Sequence, residues 1–124
     1  MDLNLELPEG YLFVRRVGEH GVTLIDRELT DSFLLAPDRV VEHWEVREAG
    51  ALDATHVDAL LALQPELVLL GTGTRQTFPA AAFIAGFLRK GIGIEVMDNA
   101  AAARTYNLLA GEGRRVVAAF MLPA

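Results

Sequence analysis

Leu67, Val68, Leu69 and Leu70 are four successive apolar residues, followed at once by the turn Gly71-Thr72-Gly73-Thr74-Arg75. Side chains on a strand point alternately to opposite faces. A strand with no polar position therefore has both faces covered, which is the signature of a central strand between two layers. A sheet with one face in water would show alternation here, and it does not. This run makes a layered α/β domain the architecture to expect.

The flanking pattern supports that reading. Upstream, residues 11–17 and 22–26 are rich in β-formers and enclose the turn cluster Gly18-Glu19-His20-Gly21, which reads as a hairpin with a four-residue loop. Residues 32–36 and 40–46 form a second strand pair around Pro37-Asp38, with Val40, Glu42, Trp44 and Val46 on one face of the latter. Residues 1–10 read as an extended or frayed start, broken by Pro8 and Gly10. From Gly50 onward helical and strand-like periods alternate. Thr55 with Asp58 three residues on reads as a capping box. Val57, Leu60, Leu61 and Leu63 continue as an apolar stripe that Pro65 ends. Pro79 suits the first turn of a second helix, with Phe83, Ile84, Phe87 and Leu88 as its buried face and Gly91 at its end. Ile92, Ile94 and Val96 lead into another strand, and Asn99 is placed to cap a third helix running to about Leu109. Residues 114–122 form a closing strand.

The expected fold is one three-layer α/β domain over residues 1–124. Its mixed central sheet takes parallel strands from the C-terminal half, the N-terminal hairpins add a β layer, and about three helices cover it. At 124 residues, such a domain buries roughly two-thirds of its unfolded surface and needs no disulfide or metal.

Composition narrows the chemistry. Cysteine is absent, which excludes a disulfide framework, a thiolate nucleophile and a cysteine-ligated metal. The N-terminal ten residues are acidic and carry no basic signal region, and no apolar run approaches membrane-span length. A soluble cytoplasmic protein is expected. The net charge is −6, so a nucleic-acid partner is not expected. The arginine pairs Arg15-Arg16 and Arg114-Arg115 read as straddling strands, not as a binding patch.

Two stretches carry a family resemblance. One runs from Pro65 through Leu70 to Gly71-Thr72-Gly73. The other is Gly93-Ile94-Glu95-Val96-Met97-Asp98-Asn99, continuing through Arg104-Thr105-Tyr106-Asn107 to Glu112-Gly113-Arg114-Arg115-Val116-Val117. Both resemble the family known as domain of unknown function 498, which includes the mitochondrial complex I assembly factor three and an adipogenesis-associated domain protein. The resemblance covers the chain from about Tyr11 to the end. It implies a three-layer α/β fold around a mixed sheet. It also implies bacterial members that stand as single domains without an assigned activity, and a mitochondrial relative that acts by binding proteins. Asn99 stands where the family more often has Thr, and Gly111 interrupts the end of the third helix.

The candidate surface is Gly71, Thr72, Gly73, Thr74 and Arg75, with Asp98 and Asn99 beside them if the two strands are neighbours. Ligands of open α/β sheets bind beyond the C-terminal strand ends, and glycines let a backbone approach a ligand. The Lys-Ser/Thr ending of a Walker loop and the third glycine of a dinucleotide loop are both missing. The competing reading is that the glycines only turn the chain after a buried strand. Asp98 reads as a cap, a helix-dipole partner or a pocket carboxylate. Tyr106 reads as a packed aromatic with its hydroxyl satisfied, and Arg104 shares a helix face with Asn107. His20, His43 and His56 lack ligand spacing, and Ser32, the only serine, lacks a nucleophile-elbow setting. Trp44 fits either the core or an interface. No catalytic residue, metal or cofactor is assigned.

The functional expectation is a non-catalytic protein-binding or assembly module with a protein partner. The alternative is a small-molecule or anion-binding protein, or an enzyme, with its pocket at the same strand ends. A homo-oligomer through an exposed apolar strand is a third expectation.

Overall fold

Strand β6 (Leu67–Gly71) lies between β7 (Gly93–Met97) and β8 (Val116–Phe120) and runs parallel to both. On the far side of β8, β4 (Phe33–Ala36) joins antiparallel, and β5 (Arg39–Val41) closes that edge. The computed structural model describes residues 10–123. The frayed start expected for residues 1–10 lies outside the described residues but for Gly10. The order β5-β4-β8-β6-β7 makes a mixed five-stranded sheet. A second, antiparallel sheet is formed by β1 (Val14–Val17), β2 (Val22–Leu24) and β3 (Glu28–Leu29).

Alternation along the central strands sorts their side chains into two cores. Leu34, Val68, Leu70, Val117 and Ala119 face one side. There they pack with Val57 and Leu60 of α1 (Ala54–Leu61) and with Phe83 and Phe87 of α2 (Ala81–Leu88). Phe33, Leu35, Leu69, Ala118 and Phe120 face the other. That side is covered by Ala102 and Tyr106 of α3 (Asn99–Gly111), and by Val14, Val22 and Leu24 of the small sheet. The fold is therefore a three-layer α/β domain, with the N-terminal strands sharing the outer layer with α3. The fully apolar β6 is buried on both faces, as its pattern requires.

Several local features differ from the sequence reading. The cap of α1 is Asp53, not Thr55. The Asp53 carboxylate accepts from Thr55 N at 2.9 Å, and His56 Nδ1 accepts from Asp53 N at 3.0 Å. The capping box is thus Asp53 with His56, two residues upstream of the Thr55–Asp58 pair. An Asp accepts these bonds at least as well as a Thr. Helix α1 ends at Leu61, before Leu63, which is nonetheless buried. Helix α2 starts at Ala81, so Pro79 lies before the helix, not in its first turn. Leu88 is 59% exposed and not part of the buried face.

Of residues 40–46 only 40 and 41 are strand, at the end of β5. His43 takes a left-handed φ of 60°, which breaks the alternation expected there. Trp44 and Val46 reach the core from irregular chain. Trp44 is thus a core residue, set edge-on to His56 at 6.0 Å between ring centres. Helix α3 runs two residues past Leu109, to Gly111.

Candidate functional site

Helix α2, which follows β6, packs on one face of the sheet, and α3, which follows β7, packs on the other. The two chains leaving β6 and β7 therefore part at neighbouring strand ends. A divergence of this kind opens a crevice at the carboxyl ends of the strands. A cavity of about 480 Å³ lies there. Gly73 and Thr74 border it from the turn after β6, and Asp98, Asn99 and Ala100 from the start of α3. Val17, Gly18 and Glu19 of the β1–β2 hairpin complete the wall.

The polar groups at this end are engaged with one another. Gly73 N donates to Asn99 Oδ1 at 3.1 Å, Asn99 Nδ2 donates to Met121 O at 3.0 Å, and Asn99 N donates to Gly73 O at 2.8 Å. Asn99 is 3% exposed. It ties together the chain leaving β6, the start of α3 and the chain leaving β8. The cap of α3 is Asp98 instead, whose Oδ1 accepts from Ala101 N at 2.8 Å. The expected Asn99 cap is thus displaced by one residue, because Asn99 is drawn inward to serve three strand ends.

Thr72 organises the turn itself. Its N–H donates to Met97 O at 2.9 Å, and its Oγ1 donates to Arg75 O at 2.6 Å while accepting from Thr77 N at 3.0 Å. Gln76 Nε2 donates to Val96 O at 2.8 Å, on the edge strand β7. The N–H groups of Thr72, Gly73 and Asn99 are all spent inside the fold, and the Asp98 carboxylate sits where an anion would meet the helix end. These N–H groups are not free to cradle a phosphate. Glu19 and Asp98 give the cavity wall a negative character, suited to neutral or cationic groups.

The structure brings Gly73, Thr74, Asp98 and Asn99 to one cavity but does not bring Arg75 there. Arg75 is exposed and outside the lining residues. Gly71 is buried beneath the turn. Its backbone lies so close to Asn99 Oδ1 and to Ala119 O that a Cβ would overlap the first and stand 2.9 Å from the second. The hairpin wall of Val17, Gly18 and Glu19 was missed from the sequence. Its residues lie about eighty positions from Asp98, and no local pattern links them.

The other polar residues singled out are bonded within the fold. Ser32 is fully buried, and its Oγ accepts from Leu122 N at 2.9 Å. Tyr106 donates to Leu12 O at 2.8 Å, and burial pushes its phenol well above the ordinary value, so it stays a neutral donor. Asn107 clasps strand β1, accepting from Val14 N and donating to Val14 O, both at 2.9 Å.

Arg114 pairs with Glu66 at 3.3 Å and Arg115 with Asp38 at 2.7 Å. Both precede β8, so this pair does not straddle the strand. Arg15 and Arg16, expected on opposite sides of a strand, instead border the same groove. A register shift between Val14 and Arg16 bends β1 at that point. No helix among the described residues is long and apolar enough to cross a membrane.

The fold and chain match known proteins. A Xanthomonas campestris protein solved by NMR is 47% identical, superposes with a TM-score of 0.83, and is covered over 92% of its length by 98% of this chain. A Bordetella parapertussis crystal structure is 35% identical with a TM-score of 0.83, over 92% of this chain and 97% of the other. The 13 kDa major membrane protein of Francisella tularensis is 30% identical over 84% of this chain and 78% of its own. The NADH dehydrogenase (ubiquinone) 1 alpha subcomplex assembly factor 3 of mouse is 27% identical over 98% of this chain, which spans 65% of that relative. A family profile matches residues 14–121, nearly the whole chain. The chain belongs to the family described as protein of unknown function (DUF498/DUF598).

Proposed function

We propose that this chain is a non-catalytic module that binds other proteins during their assembly. The observation that carries the reading is the match to the mouse assembly factor over 98% of this chain. The chemistry at the strand ends supports it, because Asn99, Thr72 and Asp98 are used to hold the fold together. The loop from β6 to α2 supports it too. It presents Phe78, 65% exposed, and large exposed aromatics are frequent anchors of protein interfaces. Crosslinking in cells, followed by mass spectrometry of the recovered chain, is expected to return a defined protein partner. The same experiment with Phe78→Ser is expected to return less of it. A chain that crosslinks to no protein and turns over a small metabolite overturns the reading.

A second reading follows from the cavity alone. Its volume of about 480 Å³ lies within the range of small-molecule sites. Glu19 and Asp98 on the wall favour a neutral or cationic ligand over the anion expected from the glycine turn. A thermal-shift screen separates the two, since a ligand of the native state raises its melting temperature. Amines and polyols are expected to shift it and phosphates are not. Stabilisation by phosphate that grows in Asp98→Asn overturns the cationic preference.

A further inference from the structure

Beside this cavity, and sharing Val17 and Ala100 with it, runs a groove of about 250 Å³ between strand β1 and helix α3. Arg15 and Arg16 border it from the strand and Arg104 from the helix, with Val14 and Ala103 in its apolar floor. All three arginines are exposed, and none belongs to an ion pair among the described residues. Elsewhere on the chain Arg27, Arg47, Arg114 and Arg115 each have a carboxylate partner, while Arg39, Arg75 and Arg89 have none among the described residues but stand singly, on β5, on the turn after β6 and at the end of α2. Arg15 is also held in place, with Nε donating to Ile25 O at 3.1 Å and the guanidinium 5.4 Å from the centre of the Phe13 ring. A chain of net charge −6 thus gathers along one groove three guanidiniums that have no carboxylate partner among the described residues. Among the described residues the groove walls carry no acidic side chain.

We infer that this groove binds a short acidic peptide segment of a partner protein, through Arg15, Arg16 and Arg104. The inference rests on the protein-binding reading above and names the surface and the chemistry of its partner. Guanidiniums suit carboxylates because their planar donors match two oxygens at once. Charge and size select a peptide over a longer polyanion. A nucleic acid or an anionic membrane would extend past the groove and meet Glu19 and Asp98 in the adjoining cavity, on a chain whose overall charge repels it. A short acidic segment needs only the groove.

The full chain is titrated at low salt with a fluorescein-labelled oligoglutamate peptide, a single-stranded oligonucleotide and phosphatidylserine vesicles. Oligoglutamate is expected to bind, and added salt to weaken it. The double variant Arg16→Ser/Arg104→Ser is expected to bind about tenfold more weakly, since each exposed charge pair contributes up to about a factor of five. Arg16→Lys/Arg104→Lys keeps the charge and is expected to retain most of the binding. Arg89→Ser, just past the end of α2, is expected to change nothing.

The inference is overturned if oligoglutamate does not bind, or binds the serine variant as well as the native chain. It is also overturned if the oligonucleotide or the vesicles bind in its place. Crosslinking in cells keeps its two levels apart. A partner captured equally by the native chain and the serine variant overturns the groove and leaves the protein-binding role standing. Capture of nothing by the native chain overturns the role itself.

Discussion

Asn99 Oδ1 occupies the space that a Cβ on residue 71 would take. The glycine at the end of β6 and the asparagine at the start of α3 are therefore two halves of one contact, and the missing side chain of Gly71 lets Asn99 reach Gly73 and Met121. Gly71→Ala is expected to cost about 2 kcal/mol by overpacking. Asn99→Ala leaves Gly73 N and Met121 O without their partner and is expected to cost about 3 kcal/mol. The double variant relieves part of the overlap, so its loss is expected to fall short of the sum by about 1 kcal/mol. Chemical denaturation of the four proteins measures this, and simple additivity contradicts the contact.

The start of α1 tests the corrected capping assignment. Asp53→Ala removes the acceptor of Thr55 N and is expected to cost about 1 kcal/mol. Asp58→Ala, at an exposed position, is expected to stay within about 0.5 kcal/mol of the native chain. Thermal melts of the two variants suffice, and the reverse ranking would restore Thr55 with Asp58 as the cap.

Adjacent residues on α2 give a sharper contrast. Phe87 is fully buried and lies edge-on to Phe83 at 5.2 Å between ring centres. Phe87→Ala is expected to cost about 3–5 kcal/mol, whereas Leu88→Ala, on the exposed side, is expected to change stability by less than about 0.5 kcal/mol. Urea midpoints distinguish them.

The Arg115–Asp38 pair predicts a pH dependence. The hydrogen bond from Arg115 holds the Asp38 carboxyl below the ordinary carboxylate range. A carboxyl with a lowered pKa in the folded state adds stability above its unfolded pKa and loses it as pH falls through the folded one. The native chain is therefore expected to exceed Asp38→Asn in stability by a constant, small margin near neutrality. The margin should shrink as pH drops below the ordinary carboxylate range. Melting temperatures across that range check the sign, and a margin that grows on acidification refutes it.

Much of the fold was legible because β6 has no polar position and the segments after Gly50 change period at each strand. Both signals are local and repeat along the chain. The closeness of residue 73 to residues 98 and 99 was legible only conditionally, since it required β6 and β7 to be neighbours. The caps were misplaced by one or two residues because Asp53, Thr55, Asp98 and Asn99 can all accept a helix N–H, and spacing alone does not choose among them. Arg75 looked like part of the site because it follows the glycines, yet Thr72 takes its carbonyl and the side chain stays in solvent.

The amino-acid pattern by itself determined a three-layer α/β domain, since apolar runs and periodicity state which residues must leave water. Only the tertiary structure decided which polar groups remain for a partner. It drew Asn99 inward across three strand ends, brought the distant hairpin of Val17 and Glu19 to the cavity, and set Arg15 and Arg16 beside Arg104 on α3. Those outcomes depend on hydrogen bonds between residues far apart in sequence and on a register shift where β1 pairs with β2, which no local spacing encodes.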